Sequence, residues 1–258
     1  MRYAKESFSI SEERDIPLLL QVRNSRFIAH GQLFEFMRLA GVEHSRDSFN
    51  WRVRRMLSAG CISICENRVG DGSLVYRIAR QGLIQLESFG RFAAILNSRT
   101  QHLPHPSQVP HALELNAVQL ELTRNGLLVS WRSDVEVASV NTVATRSLRK
   151  DYDAVVDVWN DQKIARFALE YERNLKSIQQ YEKVRSALDA EDKLGCVLYL
   201  TAGDEICLYL AGQFFGISMP VAFATARDFR RHLLDTMVMI APHEPRVPFR
   251  SQLSGGLF

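Results

Sequence analysis

Residues 97–111, NSRTQHLPHPSQVPH, hold three prolines and three histidines with no apolar periodicity, and they split the chain into halves of different character. Proline lacks an amide hydrogen and biases its predecessor away from the helical region, so such a stretch interrupts helix and sheet alike. Upstream the pattern is mostly helical; downstream, strand-like and helix-like runs mix. The reading that follows is a domain over 1–97, a linker over 98–110, a second domain over 111–250 and a flexible tail over 251–258. A chain of 258 residues, 46% of them hydrophobic, is long enough for two modest cores.

Several function classes fall away early. No apolar run approaches the roughly 20 residues that span a bilayer. The opening MRYAKESFSISEERDIPLLL mixes charges of both signs and lacks the apolar core of a signal peptide. Cys61, Cys65, Cys196 and Cys207 form no CxxC pair and have no histidine nearby, which predicts reduced thiols in a cytoplasmic protein without a zinc site. There is no glycine-rich phosphate loop, no GxSxG and no local nucleophile–base pairing.

The upstream half predicts helices in SEERDIPLLLQVRNSRF, GQLFEFMRLAG and SRDSFNWRVRRMLSAG, two strands around the GDG of CISICENRVGDGSLVYRIA, and a fourth helix in RQGLIQLESFGRFAAIL. Three helices followed by a hairpin are the outline of a winged helix-turn-helix. On the third helix Phe49, Val53 and Met56 share a buried face, with Leu57 beside them. Asp47, Ser48, Trp51, Arg54 and Arg55 lie opposite, with Asn50 and Arg52 on the flanks. The hairpin would be the wing, with Arg68 at its tip and Arg77 returning along it. Residues 1–100 carry 15 Lys+Arg against 10 Asp+Glu, fourteen of the cations being arginine, whereas the remainder carries 17 against 19. Arginine suits phosphates and base edges. Double-stranded DNA is therefore the expected partner, through Ser48, Asn50, Trp51, Arg52, Arg54, Arg55, Arg68 and Arg77. A winged helix used for protein interaction stays open, as does a Trp51 that only packs against a neighbouring element. Leu83, Leu86, Phe89, Phe92 and Leu96 line one face of the fourth helix, either to pair two copies into a homodimer or to close the core.

The downstream half reads as α/β. A helix in HALELNAVQLELTRNG precedes strands at LLVSWRSDVEV, DAVVDVW and IARFALEYE; a helix in NLKSIQQYEKVRSALDA leads to strands at CVLYLTA, EICLYLA and MPVAFAT and a helix in ARDFRRHLLDTM. Glu136, Asp153, Asp157, Glu170 and Glu172 fall at strand positions. Glu170 and Glu172, two apart, share a face. Clustered carboxylates with a nearby cation are what Mg²⁺-dependent phosphodiester cleavage requires, and the Asp153-to-Glu170 spacing fits a PD-(D/E)xK nuclease. Three readings stay open: an ion-pair cluster, a degenerate nuclease fold kept as a scaffold, and a working metal nuclease. No cofactor is expected unless the site is active, when it would be Mg²⁺.

YRIARQGLIQLE, HALELNAVQLEL, WRSDVEV, YDAVVDV and FALEYERNLKSIQQY together make most of the chain similar to the replication-relaxation family of plasmid and integrative-element proteins. The resemblance implies an α+β or α/β chain with an N-terminal winged helix-turn-helix and a C-terminal PD-(D/E)xK restriction-endonuclease-like mixed sheet flanked by helices. It implies Asp153 as the strand aspartate, Glu170 and Glu172 as the following acidic pair, Glu136 as the upstream glutamate and Tyr181 as an aromatic on the next helix. Asp153, Glu170 and Glu136 would be the metal ligands. The sequence departs from an active nuclease where Glu172 replaces lysine and Tyr152 replaces proline; Lys176, on the first turn of the next helix, is the candidate migrated lysine. The implied function is DNA binding on a mobile element, in transcription control, plasmid replication or transfer. The alternatives are a Mg²⁺-dependent DNA endonuclease and an adaptor whose second domain binds a protein partner.

Overall fold

The computed structural model describes residues 9–65, 72–96, 108–144 and 147–253. The chain divides into two compact units, Met1–Leu113 and Glu114–Phe258.

In the first unit α1 (Asp15–Ser25), β1 (Ile28–Ala29), α2 (His30–Leu39) and α3 (Arg46–Ser58) precede β2 (Ile62–Ile64), β3 (Val75–Ile78) and α4 (Arg80–Ser88). β3 is the central strand, antiparallel to β1 and β2, with Ile28 opposite Tyr76 and Ile62 opposite Ile78. Ser45 starts α3 by accepting the Ser48 amide hydrogen at 3.2 Å, and Gly60 stops it at φ +66, a backbone angle that favours glycine. Leu18, Leu19 and Val22 of α1, Leu33 and Met37 of α2, and Phe49, Val53 and Met56 of α3 are all buried. Each such side chain contributes about 1.5–3 kcal/mol by leaving water. A Cβ at Gly82 would stand 2.2 Å from the Cys61 carbonyl oxygen, so glycine lets α4 lie against that backbone.

The expected fourth helix is shorter than its apolar pattern. It stops at Ser88, Gly90 turns the chain at φ +71, and only a 3-10 turn, Ala94–Leu96, follows. Leu83, Leu86 and Leu96 close the core, while Phe89 is partly exposed and Phe92 is 61% exposed. Of the expected linker, residues 98–107 lie outside the described residues; Val109 and Pro110 already belong to α5 (Val109–Arg124).

In the second unit β4 (Leu128–Ser133), β5 (Ala154–Asn160), β6 (Lys163–Glu172), β7 (Val197–Thr201) and β8 (Val221–Thr225) form one five-stranded sheet in that order. The first three run as an antiparallel meander; β7 and β8 are parallel to β6. Parallel neighbours need a crossover. α7 (Ile178–Asp189) and α8 (Asp204–Gln213) supply the two. EICLYLA, expected as a strand, is thus α8: Cys207, Leu210 and Ala211 at helical spacing are its buried face. The sheet is covered on both sides. One face packs against Val118 and Leu122 of α5, Phe229 of α9 (Ala226–His232) and Phe249 of a 3-10 turn, Phe249–Gln252. The other packs against Val137 of α6 (Asp134–Val143), Tyr181 and Leu188 of α7, Leu210 of α8 and Phe214 just after it. A short pair, β9 (Met237–Val238) with β10 (Val247–Pro248), completes the fold. Ser251 and Gln252 of the expected tail belong to the 3-10 turn, and residues 254–258 lie outside the described residues.

Candidate functional site

The outer face of α3 carries less free charge than its sequence promises. Arg52 is buried, its Nη1 2.5 Å from Asp15 Oδ1 and its Nε donating to Glu43. Arg55 also pairs with Asp15 and donates to the Ser9 carbonyl at 2.7 Å. Arg14 joins Glu43 at 2.9 Å and the Ser48 hydroxyl at 3.1 Å. Asp15 and Glu43 are wholly buried, which opposes ionisation, yet these guanidinium hydrogen bonds hold both carboxyls below their usual range. Arg52, expected on a flank and in contact with DNA, is instead the internal cation that ties α3 to α1. A cation serving two buried acids cannot also reach a groove.

Asp47, Trp51, Arg54 and Ser58 form the exposed stripe of α3. Trp51 is 59% exposed, with the Arg55 guanidinium 5.4 Å from its ring centre. Arg46 stands 4.6 Å over the Phe34 ring. Asn50 is half-buried on the shoulder, its Oδ1 3.0 Å from His30 Nε2. Arg77 donates across the β2–β3 pair to the Ser63 hydroxyl at 3.2 Å. Arg68 lies outside the described residues.

The acidic groups of the second unit are sorted by strand register. Ala154 pairs with Leu169, which sets Asp153, one residue before β5, opposite Glu170; Glu170 in turn pairs with Tyr199 and Glu172 with Thr201. Glu170 and Glu172 are only 7% and 6% exposed. Each has its own ammonium. Lys150 pairs with Glu170 and lies 4.7 Å over the Tyr152 ring; Lys176 Nζ is 2.7 Å from Glu172 Oε2. Asp153 accepts the Tyr171 amide hydrogen at 2.7 Å. Lys176 sits in the turn before α7 rather than on its first turn, its amide donating to the Tyr181 hydroxyl at 3.0 Å. Burial pushes the Glu170 carboxyl up and Asp153 adds to this, while Lys150 and Lys176 oppose it. Burial alone would lower the Lys176 ammonium, but its bond to Glu172 and the charges of Glu172, Glu170 and Asp153 raise it.

Two acids leave the constellation. Glu136 lies in the first turn of α6, not on a strand, and accepts the Ser133 amide and hydroxyl hydrogens at 3.0 Å as a capping box. Asp157 is held by Arg166 at 2.6 and 2.9 Å and by the Ser130 hydroxyl at 2.7 Å. Burial opposes its charge, but these bonds keep its carboxyl below the usual range. The expected ligand set of Asp153, Glu170 and Glu136 therefore does not converge. Among the described residues no three His, Cys, Asp or Glu side chains form a metal site. The ammonium groups of Lys150 and Lys176 already pair with Glu170 and Glu172, the acids that remain beside Asp153. Sequence reasoning missed Lys150, three residues before Asp153, and the buried acids Asp15 and Glu43. The first was legible as a cation flanking an acidic strand; the others were not, because their partner is 37 and 9 residues away.

No protein-family model matches the chain, and no curated protein matches it significantly in sequence. Among solved structures, the restriction endonuclease FokI is similar at 10% identity and a TM-score of 0.31, over 88% of this chain and 45% of that one. The chain thus spans less than half of FokI, and a likeness this distant carries no argument. Among the described residues, no helix is long and apolar enough to cross a membrane.

Proposed function

We propose that this is a DNA-binding protein in which the first unit is a winged helix that lays α3 in the major groove. The observation that carries this reading is the order of its parts. Helix α1, the short β1, α2 and α3 lead into the β2–β3 pair, which closes an antiparallel β1-β3-β2 sheet, and α3 keeps Phe49, Val53 and Met56 inside while Trp51 and Arg54 face out. Trp51 offers an aromatic plate for a sugar, Arg54 a fork for phosphate or guanine. The second unit is, on this reading, a nuclease-like scaffold whose acidic pair is neutralised internally. Its meander, its parallel β7 and the Asp153–Glu170 juxtaposition support the nuclease-like part; Glu172 in place of lysine and the two acid–lysine pairs support loss of catalysis. A role on a mobile element rests on the sequence motifs alone, and a homodimer rests on Phe89 and Phe92.

A gel-shift with a pool of random duplexes, run beside supercoiled plasmid with and without Mg²⁺ or Mn²⁺, tests both parts. The expected result is retarded duplex and uncut plasmid. Failure to retard any duplex contradicts the winged-helix reading. Metal-dependent nicking that Asp153→Ala abolishes replaces the scaffold reading with an endonuclease, in which Lys176 would be the missing cation.

A further inference from the structure

The hydrogen bonds around Asn50 run in one direction. Asn50 Oδ1 can only accept, so His30 Nε2, 3.0 Å away, carries the proton. Burial and the nearby Arg46 charge pull the imidazole below its ordinary range, against the bond to Asn50, so the ring is neutral at pH 7. A neutral ring protonated at Nε2 has an acceptor at Nδ1, and there the Tyr76 hydroxyl lies at 2.9 Å and donates. Tyr76 is buried on β3, and the His30 ring is held 5.0 Å from Phe49. The chain Tyr76–His30–Asn50 thus begins on the sheet, passes through the first residue of α2 and ends on the outer shoulder of α3. Its terminus is an amide whose oxygen is engaged and whose two N–H hydrogens are left to donate.

We propose that Asn50 is a specificity-determining residue that reads a hydrogen-bond acceptor on a base edge, and that His30 is the residue that positions it. This rests on the DNA-binding reading above and deepens it. In the major groove, purine N7, guanine O6 and thymine O4 accept, whereas cytosine presents an N4 donor. An amide turned donor-outward therefore favours guanine, adenine or thymine at its position and disfavours cytosine. A freely rotating asparagine could turn its oxygen to cytosine N4; with Oδ1 held by His30 this one cannot without breaking the chain back to Tyr76.

Selection of bound duplexes from a randomised pool tests the idea with wild type, Asn50→Asp and His30→Phe. The phenyl ring keeps the contact with Phe49 and loses both hydrogen bonds. Wild type should exclude cytosine at one position. Asn50→Asp, which turns donors into acceptors, should admit cytosine there. His30→Phe should lose about tenfold in discrimination at that position alone, the size of one base contact, with affinity for random duplex unchanged. Circular dichroism checks both folds, and Asn50→Asp carries the test if His30→Phe does not fold. Wild type that enriches a site, with the same base preferences in both variants, overturns the role of Asn50 and His30 while leaving DNA binding intact. Wild type that retains duplex but enriches no sequence likewise overturns the specificity role, and wild type that retains no duplex at all overturns the DNA-binding reading itself.

Discussion

Arg52 and Asp15 form an ion pair closed to solvent, Nη1 to Oδ1 2.5 Å, while Arg54, two residues on, is exposed. Two arginines on one helix therefore do different work. Arg52→Ala leaves Asp15 with Arg55 alone and Glu43 with Arg14 alone, and removing one partner from such a buried network costs up to about 3–5 kcal/mol. Urea unfolding should show that loss, and Arg54→Ala should show almost none. Equal stability of the two variants would contradict the buried network.

Acid should weaken the same network. The Asp15 and Glu43 carboxyls sit below their usual values in the folded state, so their contribution is present above about pH 4–5, where the unfolded groups ionise, and is lost as pH falls through the lower folded values. Glu170, pushed up, has the opposite sign: its contribution is present at low pH and fades as pH rises through its folded value. Thermal melting at pH 7 and pH 3.5 should show a fall that is shallower in Asp15→Asn, which starts less stable. An identical acid slope in the variant would remove Asp15 from the account.

Much of this architecture is legible from local signals. The Ser45 cap, the Gly60 stop and the Phe49, Val53, Met56 periodicity define α3 without reference to the rest of the chain. The acidic pair of β6 follows from period-two alternation in the same way. What was hidden is non-local. Arg52 looks like a surface cation until α1 brings Asp15 to it, and Glu136 looks like a strand residue until the Ser133 cap opens α6. EICLYLA has the composition of a strand, and only the parallel β7–β8 pairing requires a helix there.

Salt dependence should reflect the diverted charge. Counterion release gives a slope of about −0.9 in log affinity against log salt for each phosphate contact. With Arg52 inside and Arg55 tied to Asp15, the exposed cations of α3 are Arg46 and Arg54, which sets its share at about −2 rather than the roughly −4 of four free arginines. Arg54→Ala should reduce the slope by about 1. A wild-type slope that Arg54→Ala leaves unchanged would place the phosphate contacts elsewhere.

Lys150 supplies a separate test in the second unit. Its ammonium neutralises Glu170, so Mg²⁺ should bind the wild type at millimolar concentrations or not at all. Lys150→Met removes the competing charge and should tighten Mn²⁺ binding measured by calorimetry, with DNA affinity unchanged. Tight Mn²⁺ binding by the wild type would contradict a self-neutralised site.

Fluorescence anisotropy with a labelled duplex, comparing Arg54→Ala with Arg38→Ala, decides whether α3 meets DNA through its outward stripe. Arg38 is an equally plain exposed arginine on α2, paired with Glu35 at 3.0 Å. Arg54→Ala should weaken binding by about 1–3 kcal/mol, the size of one good base or phosphate contact, and Arg38→Ala should leave it unchanged. Equal affinities for wild type and Arg54→Ala, with both proteins folded, would contradict that role of α3.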